Sequence, residues 1–276
     1  MNTDFVEIAD RVHLRREPLL GVNVTLVVGD DQALLVDTLS SAAQATELAE
    51  AVRAVTDRPL TLVNTHHHYD HCFGNAVLAG EPPRPVYAHE LAAAALREEP
   101  ERLRREAYEE LRSEHPALAA ELADTPLLAP THTVRIETEI DLGGRRVLLR
   151  HPGRGHTDAD LVVHVPDVDV LVAGDLVEQS GPPAFEDSYP LKWPDAVADL
   201  LRLTTARTVV VPGHGDPVDV GFVRAQHAEL VRLAWLIRAA HTGSASPERV
   251  AAEAPFGARA ALIAARRGYR ELNGEG

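Results

Sequence analysis

The chain has 276 residues, 45% apolar and 25% charged, and 27 basic against 42 acidic side chains give a formal charge of −15. These proportions are typical of a globular chain that buries a sizeable core, and they exclude a disordered or collagen-like chain. The negative charge argues against a nucleic-acid-binding protein. The single cysteine, Cys72, excludes an intrachain disulfide framework and a cysteine-rich zinc module.

The same features set expectations for the organisation of the chain. A chain of this length with an ordinary composition predicts a single domain over residues 1–276. Residues 1–7 lack the basic and then apolar pattern of a secretory signal, and no window reaches the roughly eighteen apolar residues of a membrane span. We therefore expect a cytoplasmic protein with no membrane partner. The sequence does not indicate an oligomeric state.

The first half of the chain predicts a hairpin, a helix and then alternating short elements. Apolar and β-branched runs at 22–28 and 33–36 flank a Gly-Asp-Asp turn, and a helix begins at Ser40 or Ser41 and runs to about residue 55. The further predicted elements are strands at 60–63 and 86–88, a short helix after Gly74, and a helical insertion around residues 90–122 interrupted at Pro100 and Pro116.

The second half returns to strands before it ends in helices. The Gly143-Gly144 pair predicts a turn. The predicted strands lie at 147–149, 161–165, 168–173 and 208–211, and the predicted helices at about 194–203, 222–240 and 247–272. This alternation of strands and helices predicts an α/β fold.

A histidine cluster, His66-His67-His68-Tyr69-Asp70-His71, follows the strand at 60–63 directly. In an extended or turning loop His66 and His68 project to one side, and Asp70 with His71 serves a second point nearby. Imidazole and carboxylate ligands without a thiolate favour zinc, with iron, manganese or cobalt as alternatives. The alternative to a metal site is a polar loop whose histidines are only solvated. The spacing of these residues is nonetheless a specific signal of a site for one or two metal ions.

Three later residues follow predicted strands and are flanked by small residues that allow close backbone approach. They are His156 in Gly-His-Thr-Asp, Asp175 in Ala-Gly-Asp, and His214 in Pro-Gly-His-Gly. Each alone is a weak signal, since a lone histidine after a turn is more often structural. Their joint placement indicates further metal ligands.

The motifs NTHHHYDH, GHTD, AGD and PGHG occur in this order, and through them the chain from Val22 to the region of His227 resembles the metallo-β-lactamase-fold superfamily. Two sequence segments are most similar to the broad branch of hydrolases and cyclase-like proteins in this superfamily, namely NTHHHYDHCFGN and HTDADLVVHVP. The resemblance implies a four-layer αββα sandwich. The ligands that it implies are His66, His68 and His156 for a first metal ion, Asp70, His71 and His214 for a second, and Asp175 as a bridge between them.

Such ligands predict a hydrolase with two divalent ions, with zinc favoured. Zinc lowers the pKa of a bound water to about 7, and two ions about 3.5–4 Å apart share the resulting hydroxide and polarise the bond under attack. We expect Asp70 both to bind the second ion and to orient the nucleophile. The predicted target is an ester, thioester, lactone or amide bond of a small substrate.

Three other functions remain open at this point. An iron-dependent oxidoreductase similar to a persulfide dioxygenase uses one ion held by two histidines and one aspartate in this fold, but Asp70, His71 and His214 together favour two ions. A nuclease shares the motif, but the charge of −15 argues against it. A metal-binding protein without catalysis is the third. Lactamases of this fold are usually exported and carry a signal segment, and some have a cysteine among the ligands of the second ion. The sequence shows neither the signal pattern nor a second cysteine, so we expect a substrate other than a β-lactam antibiotic.

The long proline-rich segment at 178–193 follows the Asp175 motif and is a candidate wall of the substrate site. Tyr189 is predicted to donate to a developing oxyanion, and Lys192 to meet a substrate carboxylate. The alternative is that Tyr189 and Trp193 only pack against the following helix.

Overall fold

The computed structural model of the chain describes residues 4–274 and has a mixed α/β fold with two sheets flanked by helices. The strands are β1 Val6–Ala9, β2 Val12–Arg16, β3 Asn23–Val28, β4 Ala33–Val36, β5 Leu60–Val63, β6 Val86–His89, β7 His132–Val134, β8 Glu137–Asp141, β9 Arg146–Arg150, β10 Val162–Val165, β11 Val170–Glu178 and β12 Val209–His214. The helices are α1 Ala42–Val55, α2 Tyr69–Cys72, α3 Asn75–Ala79, α4 Glu90–Glu98, α5 Pro100–Leu111, α6 Pro116–Asp124, α7 Trp193–Leu201, α8 Val220–Thr242, α9 Pro247–Glu253 and α10 Ala258–Asn273.

The described residues divide into two compact units. The first comprises the chain up to His151 together with Val163–Val168, and the second comprises Pro152–Val162 and the chain from Asp169 onwards. The single domain predicted over residues 1–276 extends beyond the described residues at both ends, so it stays a prediction. Over residues 4–274, no helix is both long and apolar enough to cross a bilayer. The cytoplasmic location is still a prediction.

The first unit is built on a seven-stranded sheet in the order β1-β2-β3-β4-β5-β6-β7. Strands β1 to β4 are antiparallel neighbours, and β4 to β7 run parallel. The β3–β4 pair is the predicted hairpin. Ser41 begins α1 with a capping box, in which its hydroxyl accepts from Gln44 N and the Gln44 side chain accepts from the backbone of Ser41. Leu48 of α1 is buried with Leu35 and Leu62, so α1 covers one face of the central strands.

The helical insertion predicted around residues 90–122 consists of α4, α5 and α6. Pro100 and Pro116 occupy the first turns of α5 and α6, where a missing backbone N–H costs nothing. Leu111 and Leu122 are buried against Phe73, which ties the insertion to the segment after α2. The insertion therefore has a core of its own inside the first unit.

Strands β8 and β9 of the first unit are antiparallel, with Ile140 opposite Val147. The predicted turn at Gly143 and Gly144 joins them, and both residues have a positive φ, of 83° and 69°. Glycine adopts this conformation without steric cost, which is why the pair ends β8 so sharply.

The second unit contains the parallel pair β11 and β12 with helices α7 to α10. Its core includes the large side chains of Phe185, Trp193 and Ile237. The helix predicted over residues 247–272 is two helices, because Pro255 follows Ala254, whose ψ of 154° is extended. The strand predicted at 168–173 is longer than expected and runs through Glu178.

Candidate metal centre

The histidine cluster of the first unit begins in a bend at residues 65–67 and ends in a helical turn. His66 is buried three residues after the end of β5, and His68 is the extended N-cap residue of α2. The predicted loop is thus wrong for Tyr69–Cys72, since Cys72 N and Phe73 N donate to the carbonyls four residues earlier. This turn places the His71 ring 4.3 Å from the His66 ring, which itself lies 4.6 Å from the His68 ring.

The sequence motif alone did not reveal that Asp37 orients this cluster. Asp37 follows β4, is 1% exposed, and its Oδ2 lies 2.8 Å from His71 Nδ1. Thr65 donates to the same carboxylate through its N–H at 2.7 Å and its hydroxyl at 2.9 Å. Burial raises the pKa of Asp37, and His71 and these hydrogen bonds act in the opposite direction. A polar residue directly after a buried strand was the available signal.

These hydrogen bonds assign the protons of two histidine rings. His71 donates from Nδ1 to Asp37, and the Thr65 hydroxyl, which donates to Asp37, accepts from His66 Nδ1 at 3.0 Å. When either ring is neutral, this arrangement leaves the lone pair on Nε2, the state required of a metal ligand. His71 Nε2 lies 3.6 Å from Asp70 Oδ2, so the imidazole and the carboxylate face each other.

Two neighbours in the cluster have other contacts. The Tyr69 hydroxyl donates to Glu110 Oε1 at 3.1 Å, and the Cys72 thiol donates to the His67 carbonyl at 3.3 Å. Burial raises the pKa of Cys72 well above its ordinary value, so the sulfur is a protonated packing group rather than a nucleophile.

In the second unit His156 lies in the loop between β9 and β10. Asp160 closes this loop by accepting from Thr157 N at 3.0–3.1 Å and from its hydroxyl at 2.6 Å. The Trp193 ring packs edge-on against His156 with centroids 5.6 Å apart. The Trp193 Nε1–H donates to Leu176 O at 3.1 Å, so one buried indole contacts both the His156 ring and the backbone next to Asp175.

Asp175 lies between two histidines of the second unit. Its Oδ2 is 3.4 Å from His156 Nε2 and 3.5 Å from His214 Nε2. An ion with tetrahedral ligands about 2.1 Å away has ligand atoms about 3.4 Å apart, so these separations are those of groups that share an ion. A Cβ on Gly213 would overlap Asp175 Oδ1, and glycine there is what lets the carboxylate approach β12.

The donors in both units are imidazole nitrogens and carboxylate oxygens, a set that fits a divalent metal ion. In the first unit the Asp70 carboxylate lies close to the His71 imidazole. In the second unit the Asp175 carboxylate lies close to the imidazoles of both His156 and His214. His66 and His68 lie side by side in the first unit.

The two predicted substrate residues lie in the segment after β11. Tyr189 is half-buried, and its N–H donates to Gly155 O at 2.8 Å, next to His156. The guanidinium groups of Arg154 and Arg267 lie 4.9 Å and 5.8 Å from the centre of its ring. Burial raises the pKa of Tyr189, so its hydroxyl is a donor at neutral pH. Lys192 is exposed.

A family model described as the metallo-beta-lactamase superfamily matches residues 18–214. The metallo-beta-lactamase type 2 of Bacillus cereus is 27% identical over 181 residues, which are 64% of this chain and 60% of that relative. The match thus spans less than two thirds of the curated relative.

Solved structures share the fold. The metallo-beta-lactamase from Pontibacter korlensis has a TM-score of 0.64 at 23% identity, over 83% of this chain and 99% of that one. The DIM-1 metallo-beta-lactamase has a TM-score of 0.65 at 20% identity, over 83% and 96% of the two chains. The predicted fold class is therefore confirmed.

Proposed function

The chain belongs to the metallo-beta-lactamase superfamily, and we propose that it is a dinuclear metal-dependent hydrolase that cleaves an ester, thioester, lactone or amide bond of a small substrate. The homologues named metallo-beta-lactamases are hydrolases, which supports an enzyme, and they suggest that it depends on a metal. One observation carries the proposal furthest, which is that Asp175 Oδ2 lies within 3.5 Å of the Nε2 atoms of two histidines.

The proposal divides seven ligands between two zinc ions. Asp175 would help to hold both ions, because its carboxylate lies between two imidazoles. Asp70 and His71 act as a pair on one ion, as their 3.6 Å separation suggests. As the family resemblance implies, His66, His68 and His156 would hold the first ion, and Asp70, His71 and His214 would hold the second.

Zinc held in this way acts as a Lewis acid and activates water at neutral pH. The chain's own residues supply the rest. Asp37 and Thr65 keep the protons of His71 and His66 on Nδ1, so that both Nε2 atoms stay available. Asp70 would orient the attacking water, accept its proton and later deliver that proton to the leaving group.

The first experiment is elemental analysis of protein purified without added metal, with hydrolysis of chromogenic esters, thioesters, lactones and a cephalosporin. We expect about two zinc ions per chain and turnover that a chelator abolishes. One iron per chain with oxygen consumption and no hydrolysis would instead establish the mononuclear oxidoreductase. Asp175→Asn should lose both metal and turnover. Asp195→Asn, at an exposed carboxylate in the first turn of α7, should lose neither.

Lys192 provides a test of the substrate class. Its ammonium group is exposed three residues after Tyr189, where it is free to meet a carboxylate on the substrate. Lys192→Ala should raise KM about ten-fold for anionic esters and leave neutral esters unchanged. Arg224→Ala, at an exposed cation on α8, is the matched control. Equal changes in KM for both kinds of ester would remove Lys192 from the substrate site.

A further inference from the structure

Glu178, the last residue of β11, is a carboxylate that the motifs did not single out. Its side chain is buried, with 8% exposure. One ligand atom each of Asp175, Glu178 and His214 lies within 4.8 Å of the other two. Three donors this close could hold a single ion once their side chains close in, since ligand atoms bonded at about 2.0–2.2 Å lie no more than about 4.4 Å apart.

An irregular stretch of β11 brings Asp175 and Glu178 to the same side. In a regular strand two residues three positions apart point to opposite faces. Here Gly174 lies opposite Pro212 and Glu178 lies opposite His214, so four steps along β11 match two along β12. Gly174 has a φ of 54°, a conformation that glycine adopts readily. The irregularity thus redirects the Glu178 side chain towards the imidazole of His214.

Buried hydrogen bonds hold this irregular stretch in one conformation. Gln226 of α8 is 5% exposed, and its amide accepts from Glu178 N at 3.0 Å and donates to Leu176 O at 2.8 Å. Trp193 donates to the same Leu176 carbonyl. Gln179 N donates to His214 O at 3.3 Å, which ties the end of β11 to β12. The backbone of Glu178 is therefore fixed beside His214.

Two buried carboxylates this close repel each other unless a cation or a proton lies between them. We propose that Glu178 is a ligand of the ion held by Asp175 and His214, and that this carboxylate-rich position accepts Mn²⁺ as well as zinc. Oxygen donors suit hard ions such as Mn²⁺ better than imidazole donors do. The inference rests on the proposed metal-dependent function for the presence of the ion at these residues.

The test is Mn²⁺ binding to metal-free protein, measured by the loss of the free-ion electron paramagnetic resonance signal. We expect Glu178→Gln, which keeps the shape of the side chain, to raise the Mn²⁺ dissociation constant about ten-fold or more. Glu178→Asp keeps a carboxylate and should fall between the wild type and Glu178→Gln. Glu186→Gln, at an exposed carboxylate in the loop after β11, is the matched control and should bind like the wild type. Circular dichroism verifies that each variant is folded.

The outcomes separate this inference from the proposed function. An unchanged Mn²⁺ dissociation constant in Glu178→Gln, or no Mn²⁺ binding by the wild type, overturns the role of Glu178. If the wild type still takes up two zinc ions in that case, the dinuclear hydrolase stands. If the wild type takes up only one ion, the proposal of a dinuclear site is wrong. Glu178 is still supported as a ligand of that one ion if Glu178→Gln binds it more weakly. A wild type that binds no ion overturns both.

Discussion

The side chains of the segments that carry the proposed ligands are oriented by different kinds of contact in the two units. In the first unit hydrogen bonds that lead to Asp37 orient the rings of His66 and His71. In the second unit hydrogen bonds hold the backbone, whereas the His156 side chain packs against Trp193 and the Asp175 side chain against Gly213. A buried hydrogen-bond network fails when one acceptor is removed, because its donors lose their partner. A packed position fails when its shape changes. The two segments should therefore respond to different substitutions.

Asp37 should show the largest effect, because three donors converge on its buried carboxylate. Asp37→Ala leaves His71 Nδ1 and two Thr65 donors without their acceptor, and we expect a loss of about 3 kcal/mol in the free energy of unfolding. Metal affinity should fall by about 10–100-fold. Chemical denaturation and zinc titration measure the two effects. Asp57→Ala, at an exposed carboxylate, should change neither, and a neutral result at Asp37 would refute hydrogen-bond control of the first unit.

Gly213 is the corresponding test of packing in the second unit. A Cβ there would overlap Asp175 Oδ1 and lie 2.9 Å from Asp175 Cγ and 3.0 Å from its backbone N. Gly213→Ala should cost about 2–3 kcal/mol and lower the zinc content, since the strand and the carboxylate must move apart. Gly181→Ala is the matched control, because a Cβ there has no atom within 4 Å. Normal zinc content in Gly213→Ala would show that shape does not position Asp175.

Trp193 offers a milder test of the same packing. Trp193→Phe keeps a ring beside His156 but loses the hydrogen bond to Leu176 O, which still accepts from Gln226. We expect a loss of about 1–2 kcal/mol in stability and a several-fold weaker metal affinity. Trp235 is 65% exposed, so Trp235→Phe should be silent and serves as the control. Equal effects of the two substitutions would argue against a role for Trp193 in positioning His156.

Much of the fold was readable from the sequence because its signals are local. The β3–β4 hairpin, the Ser41 cap of α1, strand β5 and the proline-led helices of the insertion each follow from a short run of residues. The metal motifs were visible for the same reason. Their assignment to two ions came from the family resemblance and is still a prediction.

What the sequence did not reveal depends on distant or irregular contacts. Asp37 is 34 positions from His71, and no spacing rule connects them. Glu178 was missed because the strand was predicted to end at residue 173, which left Glu178 at the start of the proline-rich segment, and only the longer, irregular β11 brings it beside His214. The turn of α2 was missed because four residues are too few to show a helical period.

His89 extends the comparison of the two units, because it is a hydrogen-bonded histidine of the first unit that is not one of the proposed ligands. Its Nδ1 accepts from Leu91 N at 3.3 Å at the start of α4, and its ring stacks on His151 with centroids 4.1 Å apart. Burial lowers the pKa of His89 to about 4, and the charge of His151 acts in the same direction. The unfolded chain, with an ordinary histidine pKa of about 6.5, therefore takes up a proton between pH 6.5 and 4 that the folded chain refuses.

Stability from His89 is thus fully present above about pH 6.5 and is lost as the pH falls towards 4. His89→Asn keeps an acceptor for Leu91 N but removes the titrating group. We expect the wild type to lose about 1 kcal/mol more than His89→Asn between pH 7 and pH 4.5, after allowance for screening by solvent. Denaturant unfolding at several pH values measures the difference. Parallel stability curves for the two proteins would mean that the ring titrates alike in the folded and unfolded chains.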